Sequence, residues 1–282
     1  MAIRLITDGG ADLPESILAN RNITIIPLNV MINDITYKSG VELTSEKFYR
    51  LMKENETLPK TSSPSPNDFY EAYKNIDENE DVIVIALSSA LSSTFESATI
   101  GRGMLLEEQP NRNISIVDAK TASVGQAVLV HKACKLIDEG LATADIVSKL
   151  NETVSTLNTK FVLDTLENVI KGGRLDKVRG AVASVLNIKL LMEATEDGKV
   201  DVVEKVRGTK KALKRLIEQI GECTSNFEEK TLIVAHSNCA DRAADVMQKI
   251  KEQYPFKELL LAELGPVIGT YAGEGGIVIA YE

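Results

Sequence analysis

Two periods run along the chain. Short runs of consecutive apolar residues alternate with longer stretches in which apolar positions recur every three to four residues, a pattern that predicts buried strands separated by amphipathic helices. Residues 82–87, Val-Ile-Val-Ile-Ala-Leu, carry no polar break, as suits a strand covered on both faces in a parallel sheet. In the first half the pattern predicts strands at 3–7, 23–32, 35–38, 82–87 and 114–118, with helices at 14–19, 45–54, 67–76, from near Ser93, and at 123–138. Strand and helix in repeated alternation imply a mostly parallel sheet with helices on both faces.

After a further helix from Ala142 the rhythm changes, and the polar stretch 153–159 marks a join. Residues 189–194 pair with 200–206 across the turn Glu196-Asp197-Gly198-Lys199, a hairpin that makes the second sheet partly antiparallel. A strand at 161–164, a short helix at 166–171 stopped by Gly172-Gly173, helices at 209–220 and 240–253, and strands at 231–235, 258–264 and 277–281 complete the half. The predicted fold class is α/β with two domains: residues 1–157 on a mostly parallel sheet with helices on both faces, and residues 158–282 as an α+β-like domain with a mixed sheet.

Composition removes some functions. Apolar residues at 44% and charged residues at 26% are those of a globular protein, and a net charge of −9 argues against nucleic acid as the main partner. The sequence enters a strand pattern at Ile3 without a signal-peptide core, and no apolar run approaches the roughly 20 residues that span a bilayer. A cytoplasmic location is expected. Cys134, Cys223 and Cys239 are far apart and lack CxxC spacing, which suggests neither a disulfide framework nor zinc. They read as reduced thiols, with Cys134 on the apolar stripe of a helix.

Two hydroxyl-rich loops carry the candidate chemistry: Thr61-Ser62-Ser63-Pro64-Ser65-Pro66, and Ser88-Ser89-Ala90-Leu91-Ser92-Ser93-Thr94. Each leads into a predicted helix, and the second follows a buried strand, so it lies at the carboxyl edge of a sheet where α/β ligands gather. Backbone N–H groups and the positive end of the helix dipole favour a carboxylate or phosphate there. Simple capping is the other reading: Ser93 with Glu96 has capping-box spacing, and Ser65, Pro66 and Asp68 form a close variant. No P-loop, GxGxxG turn or GxSxG elbow is present, and His131 and His236 are the only histidines. His131 reads as structural, while His236 ends a strand where a functional role is open. Asp8 and Asp12, beside glycines, read first as turn and cap residues. Gly273-Glu274-Gly275-Gly276 precedes a strand and reads as a tight turn.

The opening Thr7-Asp8-Gly9-Gly10-Ala11-Asp12-Leu13-Pro14 resembles the TDSxxDLP start of the DegV family of bacterial fatty-acid-binding proteins. Further landmarks of that family follow in order. They are the 61–66 loop, Leu87 to Ala98 against SSxLSGTYxSA, Asp118-Ala119-Lys120-Thr121-Ala122-Ser123, Gly172-Gly173-Arg174, Arg207-Gly208-Thr209-Lys210-Lys211-Ala212-Leu213, and Gly265-Pro266-Val267-Ile268-Gly269-Thr270. The resemblance covers essentially the whole chain. Three departures stand out: Tyr271 where the family has a histidine near the headgroup, Ser93 in place of Gly, and Gly9 in place of Ser.

The resemblance implies one long-chain fatty acid between two domains, with its carboxylate held by Thr61, Ser62, Ser92, Ser93, Thr94 and Tyr271. It also implies a separate ATP-dependent fatty acid kinase partner that makes the acyl phosphate, with Arg207 as a contact. On this reading the protein is a carrier with no catalytic residue, no metal and no cofactor besides the bound acid; it has no transmembrane segment, which leaves room for transient contact with a membrane surface. A tail of ~14 methylenes at about 0.8 kcal/mol each supplies on the order of 11 kcal/mol before ordering costs. The competing class is an enzyme acting on a small phosphorylated or acidic metabolite at the same loops.

Overall fold

The computed structural model describes residues 2–19, 23–55, 57–175 and 187–282. The first sheet is fully parallel in the order β2 (Ile23–Ile26), β1 (Ile3–Asp8), β6 (Asp81–Ala86), β7 (Ile114–Asp118). Helices α3 (Pro66–Lys74) and α4 (Thr94–Glu108) cover one face, burying Phe69, Tyr73, Ala98 and Leu105 against Ile6, Val82 and Val84. Helices α5 (Val124–Asp138) and α6 (Thr143–Thr156) cover the other.

The second large sheet has six strands in the order β10 (Val200–Arg207), β9 (Ile188–Ala194), β8 (Asn158–Val162), β13 (Ile277–Tyr281), β11 (Thr231–His236), β12 (Glu258–Glu263), antiparallel except between β11 and β12. Its outer face is covered by α8 (Thr209–Cys223) and α9 (Ala240–Gln253). Its inner face meets α5, which therefore lies between the two sheets and is apolar nearly all round, with Val124, Ala127, Val128, Leu129, Val130 and Cys134 buried. A helix buried on opposite sides needs no polar face, and the result is a helix–sheet–helix–sheet–helix stack. Gly125 sits at a close approach within this stack: a Cβ there would lie 2.2 Å from Thr159 Oγ1 and 2.5 Å from Thr121 Oγ1.

Three features depart from the sequence reading. The expected strand 23–32 divides at Pro27, and its second part, β3 (Asn29–Ile32), joins β4 (Ile35–Lys38) and β5 (Lys60–Ser62) in a small antiparallel sheet. Proline cannot donate to a ladder, which ends the parallel pairing at this point. Pro266–Ala272 forms a helix, α10, with Gly265 as N-cap and Pro266 at the first position, a start signal the apolar reading passed over. The strand expected at 161–164 runs instead over Asn158–Val162. Helix α2 (Ser45–Glu54) packs on α10 through Phe48 and Tyr49. Among the described residues no helix is long and apolar enough to cross a membrane.

Candidate functional site

A cavity of about 850 Å³ of atom-free space, part of it open to solvent, lies between the inner face of the six-stranded sheet and the loops at the carboxyl ends of the parallel strands. Phe161 of β8, Ala194 of β9, Val200 of β10 and Val278 of β13 form its floor. Leu28, Leu87, Leu91 and Ala122 come from the loops of the first half, and α10 closes it with Val267, Ile268 and Ala272. Helix α7 (Glu167–Lys171) adds Val169. The lining is thus mostly apolar, with Thr121, Ser123 and Thr159 adding hydroxyls, and Arg174 is the one charged side chain among the described lining residues.

The other polar groups gather at one place. Thr61 Oγ1 and Tyr271 Oη are 2.5 Å apart, and Ser92 Oγ is 2.8 Å from Thr94 Oγ1 and 2.9 Å from Ser63 Oγ. Ser63 Oγ also meets Ser93 Oγ at 2.8 Å. Arg174 donates from Nε to Leu91 O at 3.2 Å and from Nη1 to Gly172 O at 2.7 Å, while its guanidinium lies 5.1 Å from the Tyr271 ring centre. Gly172 makes room for that ring, since a Cβ there would be 2.6 Å from Tyr271 Cε1. Neutral hydroxyls, one guanidinium and the positive end of α4 form a headgroup end suited to a carboxylate.

The two loops divide between capping and site. Ser65 caps α3 in a full capping box with Asp68, and Pro66 is its first residue. Ser93 is the N-cap of α4, yet its side chain makes no cap bond and turns to Ser63. Thr61, Ser92, Ser93, Thr94 and Tyr271 are brought together. Ser62 is not: alternation along β5 turns it to the opposite face from Thr61, exposed, where its Oγ accepts from Asn29 Nδ2 at 3.3 Å. Ser63 and Arg174 take part instead. The first lay unselected inside the hydroxyl loop, and the second ended the Gly-Gly-Arg motif without a headgroup role.

Other candidates serve the frame. Ser88 donates to Gly198 O, fastening the tip of the β9–β10 hairpin, and Ser89 donates to Asp118. Asp8 is buried and accepts from the Gly10 and Leu87 N–H groups and from Gln126; burial pushes its carboxyl up to about 6 against these bonds. His236 is buried beside the N–H of Cys239, and burial lowers its pKa against the pull of Glu263. His131 pairs with Glu258. Gly273 and Gly275, both with positive φ, form the turn before β13. Arg207 is exposed at the far end of β10 from Val200, roughly 23 Å along the strand.

A profile of the DegV family matches residues 2–282. The chain belongs to the DegV family. It is similar to crystal structures of three other members. One, from Ruminococcus gnavus and refined with vaccenic acid, is 28% identical with a TM-score of 0.93, covering 99% of both chains. Another, DegV of Bacillus subtilis, a fatty acid binding protein, is 31% identical with a TM-score of 0.87, covering 100% of this chain and 99% of that one. A third, the Streptococcus pneumoniae Fatty Acid Kinase (Fak) B3 protein loaded with linoleic acid, is 25% identical with a TM-score of 0.87 and the same coverage.

Proposed function

We propose that this DegV-family protein binds one long-chain fatty acid in the cavity between residues 1–157 and 158–282 and presents its carboxyl group to an ATP-dependent fatty acid kinase. The observation that carries the reading is the uneven polarity of the cavity: mostly apolar walls, with Thr61, Tyr271, Ser92 and Arg174 drawn together at one end, while the other lining hydroxyls are bonded within the frame, Thr121 to Thr159 and Ser123 to Asp12. An acyl chain has the same division. Fatty acids in the related structures, and the kinase-system name of one of them, support it. Thr61, Ser63, Ser92, Tyr271 and Arg174 hold the carboxylate, with Thr94 and Ser93 orienting Ser92 and Ser63.

The protein acts as a carrier. Among the described lining residues there is no carboxylate, histidine or thiol to serve as an acid–base pair, which favours this reading over an enzyme of acidic metabolites. The kinase docks over Arg207, and exposed Lys205, Lys210, Lys211 and Lys214 nearby suit an acidic partner surface. Native mass spectrometry of the purified protein tests the reading: one long-chain fatty acid per chain is expected, and a protein that neither carries nor takes up such an acid would overturn it.

A further inference from the structure

Helix α10 contributes Val267, Ile268, Tyr271 and Ala272 to the cavity, so its position sets the shape of the site. Two hydrogen bonds from the first half hold its start. Tyr49 Oη donates to Leu264 O at 3.0 Å, and the Gly265 N–H donates to Asp12 Oδ1 at 2.7 Å. The other oxygen of Asp12 accepts from Ser123 Oγ at 2.6 Å. Ser123 itself lines the cavity, with φ 57° and ψ −132°, a conformation rare outside glycine that is held by its N–H bond to Gly10 O. Strained residues of this kind collect at ligand clamps. One carboxylate thus joins a strained cavity residue to the helix that carries Tyr271.

The surroundings of Asp12 are unusual for a charge. It is buried, its two donors are neutral, and the groups that face it are the Glu263 carboxylate at the end of β12 and the Tyr49 phenol of α2. His236 and Cys239 lie beyond these, beside Glu263 and Tyr49 respectively. Burial pushes the Asp12 carboxyl up to about 7, against the bonds from Ser123 and Gly265. When ionised it accepts both bonds. Protonated, one oxygen becomes a donor, Ser123 has to turn, and the neutral carbonyl holds Gly265 less strongly.

We propose that Asp12 is a positioning residue that couples fatty-acid retention to pH, gripping α10 when ionised and loosening it when protonated. The proposal rests on the fatty-acid reading. By reciprocity, the bound acid favours the ionised state and affinity falls as pH drops through the neutral range.

The test is titration with cis-parinaric acid, followed by its fluorescence, for wild type and Asp12→Asn. Asparagine offers a carbonyl to Gly265 and an amide N–H to Ser123, which imitates the protonated state without titrating. The difference between the two profiles cancels ionisation of the ligand, Asp8 and His236. Wild type is expected to lose about fivefold or more in affinity from pH 8 to about pH 5.5, relative to Asp12→Asn, which stays near the weaker limit throughout. Equal slopes overturn the proposal alone. Absence of binding by both proteins overturns the fatty-acid reading and this one with it. Should Asp12→Asn not fold, Ser123→Ala decides: loss of the hydroxyl donor moves the transition to higher pH, and an unmoved transition overturns the proposal.

Discussion

Replacing Arg174 with methionine separates what the headgroup contributes from what the tail contributes. The guanidinium is anchored to Leu91 O and Gly172 O and stacks over Tyr271. Two of its five N–H groups are used in this way among the described residues. One charge-assisted hydrogen bond from the remaining donors to a bound carboxylate is worth roughly 1.5–3 kcal/mol. Arg174→Met therefore weakens oleic acid binding by about 10- to 150-fold. The lost stacking on Tyr271, about 0.5–1 kcal/mol, and the two orphaned carbonyls act on the protein whatever the ligand. Methyl oleate keeps the tail and lacks the charge, so it isolates the carboxylate contribution. Displacement of a fluorescent fatty acid by the acid and by the ester, on both proteins, gives the four dissociation constants required. The ester is expected to lose no more than about fivefold, in line with the stacking contribution. Equal losses for acid and ester would refute the placement of the carboxylate beside Arg174.

Ser63→Ala should weaken fatty acid binding about 2- to 10-fold through lost hydrogen bonding, while Ser62→Ala, on the outer face of β5, leaves it unchanged; the same displacement assay separates them. Gly125→Ala forces a methyl between Thr121 and Thr159, and overpacking of this kind costs roughly 1–3 kcal/mol, read as a lower calorimetric Tm. Burial disfavours ionisation of Glu258, but hydrogen bonds from Lys135, His131 and Thr231 outweigh it and hold the carboxyl down from 4.5 to about 2. A depressed carboxyl contributes stability that is present above 4.5 and lost as pH falls towards about 2. Scanning calorimetry should show a shallower loss of Tm over that window for Glu258→Gln than for the wild type.

Period and punctuation made most of the framework legible. The all-apolar run before Ser88 marked β6 as a central parallel strand, and Asp197-Gly198 marked the β9–β10 turn, where Gly198 has φ +81°. The mixed character of the second sheet followed from that hairpin. Short elements were harder to read. β5 has three residues and α10 has seven, too few for either period to register, and each supplies one of the two hydroxyls that meet in the cavity, Thr61 and Tyr271. Sequence alone does not distinguish Ser62, which faces away from the cluster, from Ser63, which joins it, because side-chain direction depends on strand register, which is not visible without β5. Arg174 depends on a contact with Tyr271, 97 positions away in the chain, and no local pattern records that distance. The Asp12 clamp is hidden in the same way: sequence gave it a turn role, whereas its partners are Ser123 and Gly265.

A crystal structure of the protein with oleic acid bound tests the central claim most directly. The account predicts one acid in the cavity, its carboxylate within hydrogen-bond reach of Ser92 and of Thr61 or Tyr271 and beside Arg174, with its tail along Phe161, Val200 and Val278. An acid bound elsewhere, or one lying in the cavity with its carboxylate away from the hydroxyl cluster, would contradict it.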